Sequence, residues 1–193
     1  MTGTQGLRER KKAETRLAVY RAAMRLTVEV GYENVTVEAI AEAANISRRT
    51  FFNYFSDKAD ALMYGEEERH RSLIAAFRER PAEESGWTAL HAAAVDLYGR
   101  FEEPDREWIA RTLLARRHPA LLARQLANLM HLEQQLAALI AERDADTGVR
   151  PRVIAAAMLA SVRAATNLWL DDDQSRLLPE ILHEALSAVA SPF

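Results

Sequence analysis

The 193-residue sequence contains no cysteine, only seven glycines and six prolines, and no long run of uncharged apolar residues. Without cysteine the chain can form neither a disulfide nor a thiolate metal site. No uncharged apolar run approaches the roughly 18 residues that a bilayer-spanning helix needs. The first residues, MTGTQGLRERKK, lack the apolar segment of a signal peptide. These absences predict a cytoplasmic protein.

The composition otherwise predicts a soluble, all-helical chain. Hydrophobic residues make up 49% of the sequence and charged residues 27%, which is ordinary for a globular protein. No segment alternates apolar and polar residues as a half-buried strand does. We therefore expect an all-α fold.

Charge is distributed unevenly along the chain. Residues 1–64 carry 10 Lys and Arg against 8 Asp and Glu, whereas residues 65–193 carry 15 against 20. A positive first part and a negative second part are expected of a chain whose first part meets a polyanion.

The first helix is predicted from about Arg10 to Val30. Gly31 follows directly and can adopt the left-handed conformation that ends a helix. The apolar positions that fall on one face of this helix are Val19, Ala22, Ala23, Leu26 and Val30.

Two short helices are predicted to follow. Thr36 is expected to cap the second helix and Ser47 the third, because each hydroxyl can accept a hydrogen bond from an otherwise unpaired N–H group. Asn45 between them is one of the few non-glycine residues that tolerate a left-handed turn. Two short helices joined by such a tight turn form a helix-turn-helix.

The third helix is predicted to be half core and half exposed surface. Phe51 and Phe55 are four residues apart, so they share one face and can pack inward. Arg49 and Asn53 are also four apart and lie on the opposite face. That face carries donors that can reach base edges and phosphates of a duplex.

Lys58 is predicted to lie in the first turn of the fourth helix, because we expect Ser56 to cap that helix. A lysine in the first turn then opposes the helix dipole. A phosphate bound between the helix N-terminus and the lysine would explain it. The alternative interpretation is a tolerated surface lysine beside Asp57 and Asp60.

Taken together, residues 15–62 resemble the DNA-binding region of the TetR (tetracycline-repressor-like) transcriptional regulators. The resemblance covers about a quarter of the chain. The matching features are Gly31-Tyr32, Val35-Thr36-Val37, Ile40-Ala41, Ser47, Thr50, the aromatic run Phe51 to Phe55, and Lys58.

The resemblance implies an all-α protein of about nine helices, with a helix-turn-helix DNA-binding domain at residues 1–56. Residues 57–193 would form an effector-binding and dimerisation domain. The implied function is that of a homodimeric repressor, which binds a palindromic operator and is released by a small-molecule effector. The dimer interface would use the last two helices, at about Pro151–Leu170 and Leu177–Ala190.

The resemblance also implies which positions contact DNA, and the exposed position of Asn53 adds one more. We expect Arg48 and Arg49 to read guanine, because arginine bridges its O6 and N7 atoms. Thr36, Tyr54 and Lys58 would instead hold phosphates. Thr50 would contact either a phosphate or a thymine methyl, and Phe52 would pack on a sugar or a methyl group. The predicted DNA-binding residues are Thr36, Arg48, Arg49, Thr50, Phe52, Asn53, Tyr54 and Lys58.

The remaining helices are predicted at about Asp57–Arg80, Glu84–Phe101, Asp105–Arg117, Pro119–Asp144, Pro151–Leu170 and Leu177–Ala190. Arg111, Arg116 and Arg117 are expected to form a solvated face paired with nearby carboxylates, and the alternative is a site for an acidic effector group. The five histidines show no ligand spacing, and we expect neither a metal nor a cofactor.

The resemblance places an effector pocket among the middle helices. Large adaptable apolar residues predict a hydrophobic or aromatic ligand, although simple core packing is an alternative for each position. The expected lining residues are Trp87, His91, Tyr98, Phe101, Trp108, Leu126, Met130, Met158, Val162 and Trp169.

Two other classes of function are weighed against this prediction. An enzyme has little support, because the sequence has no phosphate-binding glycine loop, no nucleophile elbow and no metal motif. A helical interaction protein that has lost DNA binding would explain the fold, but not the exposed Arg49.

Overall fold

In the computed structural model, the described residues 3–99, 106–172 and 175–190 form nine α-helices and one 3₁₀ helix and contain no strand. This confirms the predicted all-α class over the described part of the chain. The elements are α1 (Gly3–Val30), a 3₁₀ helix (Tyr32–Asn34), α2 (Val37–Ala43), α3 (Arg48–Phe52), α4 (Lys58–Arg78), α5 (Gly86–Gly99), α6 (Arg106–Arg117), α7 (Pro119–Asp144), α8 (Arg150–Asp171) and α9 (Leu178–Ala190).

The predicted helices after α3 differ from the observed ones by at most two residues at the described ends, and α7 has the predicted bounds. Two of the predicted ends, Phe101 and Asp105, lie outside the described residues. The larger error is at the start of the chain, where α1 begins at Gly3 rather than near Arg10.

The chain folds into two compact units, each discontinuous in sequence. The first contains the described residues of Met1–Glu68 and Arg106–Gln125, and the second contains those of Arg69–Asp105 and Leu126–Phe193. Packing therefore places α6 in the same unit as the helix-turn-helix segment. The predicted functional boundary between residues 56 and 57 divides the chain differently and stays a prediction.

The first unit is built around a core of aromatic and aliphatic side chains from α1 to α4, α6 and the start of α7. Its fully buried members include Val19, Ala23, Ile40, Phe51, Leu62, Met63, Ala115 and Leu121.

On α1 the predicted apolar face is buried at Val19, Ala22 and Ala23 and half-buried at Leu26, but Val30 is 49% exposed. The buried face therefore ends one turn before the helix does. Gly31 has a φ of 82°, and its N–H donates to the Thr27 carbonyl at 3.0 Å. The positive φ that the sequence predicted at this glycine is confirmed.

A buried arginine attaches α6 to the first unit. Arg111 is 4% exposed, and its guanidinium donates to the Tyr20 hydroxyl at 2.7 Å. A Cβ atom at Gly65 would lie 2.6 Å from both groups, so α4 needs glycine where it passes them. The prediction that Arg111 belongs to a solvated face is therefore wrong; the exposed positions are Arg116 and Arg117.

The second unit is built on the pair of helices α8 and α9, and α5 packs against both. Its most deeply buried side chains include Phe77, Leu90, Leu136, Ile140, Ile154, Met158 and Leu186. Among the described helices, α8 alone is long and apolar enough to span a membrane by length and composition. Core helices of soluble proteins meet the same two criteria, and α8 carries nine buried residues.

The end of α4 is held to α7 by a second arginine, within the second unit. Arg143 donates to the backbone carbonyls of Phe77 and Arg80 at 3.2 Å, and also to those of Pro81 and Glu84. Its guanidinium lies 4.8 Å from the centre of the Phe77 ring. One side chain thus satisfies several of the carbonyl groups that a helix C-terminus leaves unpaired.

We expect Tyr20→Phe to lower the free energy of unfolding by about 1–3 kcal/mol, because it removes the acceptor of a buried charged donor. Denaturant unfolding measures this change, and Tyr54→Phe is the control. Equal effects of the two substitutions would contradict a special role for the Tyr20–Arg111 bond.

The same pair predicts a pH dependence. Burial raises the pKa of Tyr20 from 10.0 to about 12, an effect that nearby Arg111 opposes and Glu107 adds to. Because the folded pKa is the higher one, the contribution of Tyr20 to stability is complete below pH 10 and is lost as the pH rises toward 12. Burial also raises the pKa of Tyr32, so ultraviolet titration should show late ionisation beyond that of an ordinary phenol, and Tyr20→Phe should remove the part of it near pH 12.

Candidate nucleic-acid interface

The predicted turn between α2 and α3 is present. The Thr36 hydroxyl accepts from the Ala39 N–H at 3.1 Å, and the Ser47 hydroxyl accepts from the Thr50 N–H at 3.0 Å. Asn45 has a φ of 54°, which is the left-handed conformation expected of it. The two caps and the turn confirm the helix-turn-helix.

Two buried phenylalanines fix which way α3 faces. Phe51 is completely buried and Phe55 is 5% exposed, and their ring centres lie 5.7 Å apart. Phe55 also meets the edge of the Tyr64 ring at 5.8 Å. Phe55 follows the end of α3, and its N–H donates to the Phe51 carbonyl at 3.0 Å, so both rings lie on the core side and the opposite side of the segment is exposed.

The solvent face of α3 carries most of the predicted DNA-binding residues. Arg48, Arg49 and Asn53 are exposed, and Phe52 is 47% exposed. Thr50 is half-buried, and its hydroxyl lies 2.8 Å from that of Ser47. The structure therefore brings donors of three kinds, guanidinium, amide and hydroxyl, together on α3 and the residue that follows it.

Two of the remaining predicted residues flank this face. Thr36 is exposed at the start of α2, and Tyr54 is half-buried just after α3. Their positions beside the helix are compatible with the phosphate contacts predicted for them. Those contacts stay predictions.

Arg48 is held by two neighbours. Its Nε lies 2.9 Å from Oε1 of Glu38 on α2, and its guanidinium carbon lies 5.4 Å from the centre of the Phe52 ring. The sequence did not predict the contact between Arg48 and Glu38, because it crosses the turn and follows no helical spacing.

Lys58 lies in a different environment from the one that the sequence predicted. Its ammonium donates to the carbonyls of Tyr32 at 2.8 Å and Val35 at 3.0 Å, with Glu33 O at 3.5 Å. It also lies 4.3 Å from the centre of the Tyr32 ring. An ammonium has three donors, and these carbonyls can accept all of them. The lysine therefore stabilises the end of the 3₁₀ helix, and its contact with a phosphate stays a prediction.

The predicted cap of α4 is also wrong. Asp57, not Ser56, caps this helix, since the Asp60 N–H donates to the Asp57 carboxylate at 2.8 Å. The Asp60 carboxylate accepts from the Ser56 N–H at 2.8 Å. Two carboxylates thus lie at the positive end of the helix, and the phosphate expected between this end and Lys58 stays a prediction.

Side chains at the corner between α6 and α7 contact the segments on either side of the helix-turn-helix. The sequence did not predict these contacts. The His118 Nδ1 lies 3.1 Å from Oε1 of Glu33, and the His118 ring lies 4.8 Å from the Tyr32 ring. Arg124 donates to the Ser56 hydroxyl at 2.9 Å and to the Asp57 carboxylate at 3.2 Å. No sequence spacing connects these pairs, because they are separated by more than 60 residues.

The predicted effector-lining residues fall into several environments. Tyr98, Met158 and Trp169 are buried in the second unit, whereas Trp108 is buried in the first. Leu126 and Met130 are 44% and 63% exposed. Of the others, Trp87, His91 and Val162 are half-buried and Phe101 lies outside the described residues. The effector site stays a prediction.

Trp87 and His91 form a local pair within the predicted lining, with ring centres 6.1 Å apart. Burial lowers the pKa of His91, and the nearby His183 lowers it further. The environment of the His91 imidazole therefore favours its neutral form.

Two openings in the second unit are lined by other residues. A groove of about 450 Å³ runs between α4 and α7, where Arg71 and Arg78 flank Ile74 and Leu139. A cleft of about 610 Å³ lies between α7 and the start of α8. Within the described ranges, no group of three or more His, Asp or Glu side chains is placed to hold a metal ion.

The fold and the exposed face of α3 define a class of protein: a helix-turn-helix protein with a second helical unit. Comparison with known proteins is consistent with this class. The family model described as bacterial regulatory proteins, tetR family, matches residues 19–62, and the one described as the MftR C-terminal domain matches residues 84–193. The chain therefore belongs to the TetR family of bacterial transcriptional regulators, and it is a regulator rather than an enzyme.

Two relatives have similar sequences. The HTH-type transcriptional regulator TcmR of Streptomyces glaucescens is 35% identical over 173 residues, which cover 85% of this chain and 76% of TcmR. MftR of Mycobacterium tuberculosis, whose name assigns it to the regulation of mycofactocin biosynthesis, is 25% identical over 185 residues, 94% of this chain and 92% of MftR.

Solved structures share the fold. The fatty acid degradation regulator FadR of Bacillus halodurans superposes with a TM-score of 0.60 at 18% identity, covering 90% of this chain and 93% of FadR. FadR of Thermus thermophilus, solved with lauroyl-CoA, gives 0.54 at 22% identity, covering 89% and 91%.

We expect Lys58→Met to lower the free energy of unfolding by about 1–3 kcal/mol, because it leaves the carbonyls of Tyr32 and Val35 without their charged donor. The slope of log affinity for duplex DNA against log salt should not change. Denaturant unfolding and binding at several salt concentrations measure the two quantities. A slope smaller by about one, with unchanged stability, would instead show that Lys58 holds a phosphate.

Proposed function

We propose that this regulator is a ligand-responsive repressor. It acts in the cytoplasm as a homodimer on a palindromic operator and has no membrane partner. A small hydrophobic or aromatic effector releases it from DNA.

The observation that carries the proposal is the exposed face of α3, which is held outward by buried Phe51 and Phe55. Arg48 and Arg49 are the proposed base readers, since a guanidinium can bridge guanine in the major groove. Thr36 and Tyr54 flank them and are proposed to hold phosphates, which set register without reading sequence.

The homodimer is proposed to form through α8 and α9. Small side chains are exposed on α8, including Ala160 and Ala164, and on α9, including Ala188. Val153 and Leu168 on α8 are 42% and 53% exposed. Small residues allow close helix approach, and a second copy would cover the apolar ones. Two recognition helices related by a two-fold axis would read half-sites about 34–36 Å apart or a multiple of that distance.

Release by an effector requires a physical link to the helix-turn-helix. The α6–α7 corner is part of the first unit; His118 contacts Glu33, which precedes α2, and Arg124 contacts Asp57, which follows α3. We propose that an effector acts by displacing this corner. The Thermus FadR was solved with lauroyl-CoA, so ligands with an apolar chain are the first to test.

The proposed function is tested by selecting genomic duplex fragments with the purified protein at fixed salt. The expected result is an enriched palindrome whose complex dissociates when an effector is added. Uniform retention without a motif would instead favour a helical interaction protein with residual affinity for the DNA backbone.

We expect Arg49→Ala to cost about 1–3 kcal/mol of binding free energy at one operator base pair and to relax the preference there. Competition between operator variants that differ at single base pairs measures this loss. Arg25→Ala, which removes an exposed arginine from α1, is the matched control. A uniform loss at all base pairs would show that Arg49 holds the backbone and reads no base.

We expect Ala164→Arg to convert the dimer to a monomer, because a long charged side chain would prevent close approach of α8 to its copy. Sedimentation at fixed concentration measures the mass. Ala127→Arg, on the exposed face of α7, should leave the mass unchanged. A dimeric Ala164→Arg variant would place the interface elsewhere.

A further inference from the structure

We propose that Glu38 is a positioning residue for base reading: it orients the guanidinium of Arg48 and increases sequence selectivity at the expense of affinity. The proposal rests on the proposed function, since it assumes that α3 reads DNA.

The geometry confines Arg48 on two sides. Glu38 Oε1 lies 2.9 Å from its Nε, and the Phe52 ring lies beneath the guanidinium at 5.4 Å. An ion pair and a ring contact together restrict a side chain that would otherwise lose considerable rotamer freedom on binding. No other polar contact of Arg48 is present within the described part of the chain.

The position of the Glu38 carboxylate determines which Arg48 donors remain available to contact DNA. A guanidinium carries five N–H donors, one on Nε and four on the two Nη atoms. The Glu38 carboxylate lies beside Nε as an ion-pair partner, and the Nη1 and Nη2 groups are left to reach O6 and N7 of a guanine end-on. The carboxylate therefore selects one of the ways in which an arginine can meet a base.

The ion pair between Arg48 and Glu38 does little to stabilise the fold. The two side chains are 66% and 61% exposed, and exposed ion pairs contribute little to folding. A carboxylate on the DNA-facing side also repels phosphates, so it lowers affinity for every duplex. A repulsive group next to a base reader is a known way to gain discrimination. The alternative is that Glu38 only favours the first turn of α2 through the helix dipole.

The test compares Glu38→Ala with Glu42→Ala, which removes the same charge from an exposed position on the same helix without touching Arg48. Arg48→Ala first identifies the base pair that Arg48 reads, with an expected loss of discrimination of about 5- to 150-fold there. Binding is then measured for operators changed at single base pairs and for a random-sequence duplex.

We expect Glu38→Ala to lose about threefold or more of the discrimination at the Arg48 base pair and to bind random duplex more tightly. Glu42→Ala should also bind random duplex more tightly, but it should keep the discrimination at the Arg48 base pair. The double variant Glu38→Ala/Arg48→Ala should discriminate no worse than Arg48→Ala alone. Thermal unfolding should change little in all of them.

Three results would overturn the proposal. Unchanged discrimination in Glu38→Ala, with a selective wild type, would refute the role of Glu38 and leave the proposed function intact. A lower melting temperature with weaker binding to all duplexes would favour the dipole alternative. A wild type that selects no sequence would refute the proposed function, and the role of Glu38 with it.

Discussion

The burial of Phe51 and Phe55 is the constraint on which the recognition surface depends. Phe51 lies in α3, Arg48–Phe52, and Phe55 follows it; a five-residue helix is not stable by itself in water. Tertiary packing of its inner face therefore supplies the stability that the backbone lacks. Because the two rings pack into the core, the side chains of Arg48, Arg49 and Asn53 lie on the exposed side of this segment.

The charges around the helix-turn-helix divide into two groups with different tasks. Lys58, Asp57 and Arg124 satisfy backbone groups or one another, so they fix the ends of the 3₁₀ helix and of α4. Arg48 and Arg49 lie on the outer face. A basic residue near a DNA-binding helix is thus not automatically a DNA contact, because helix ends need charged partners as well.

Buried Arg111 explains why the two compact units do not follow the sequence order. A guanidinium inside a core needs a partner, and the Tyr20 hydroxyl provides it across 91 residues of sequence. This bond places α6 with α1 and α4. The segment nearest to the helix-turn-helix in space therefore includes residues that lie far from it in the chain.

The sequence by itself determined the helical class, the two caps at Thr36 and Ser47, the left-handed Asn45 and the outward face of α3. Each of these follows from local periodicity or from a hydrogen bond within a few residues, and local rules predict such features. The tertiary structure decided the partners of Arg111, Lys58, His118 and Glu38, and with them the membership of α6. Those contacts join residues far apart in sequence or across a turn, where no spacing records which side chains will meet.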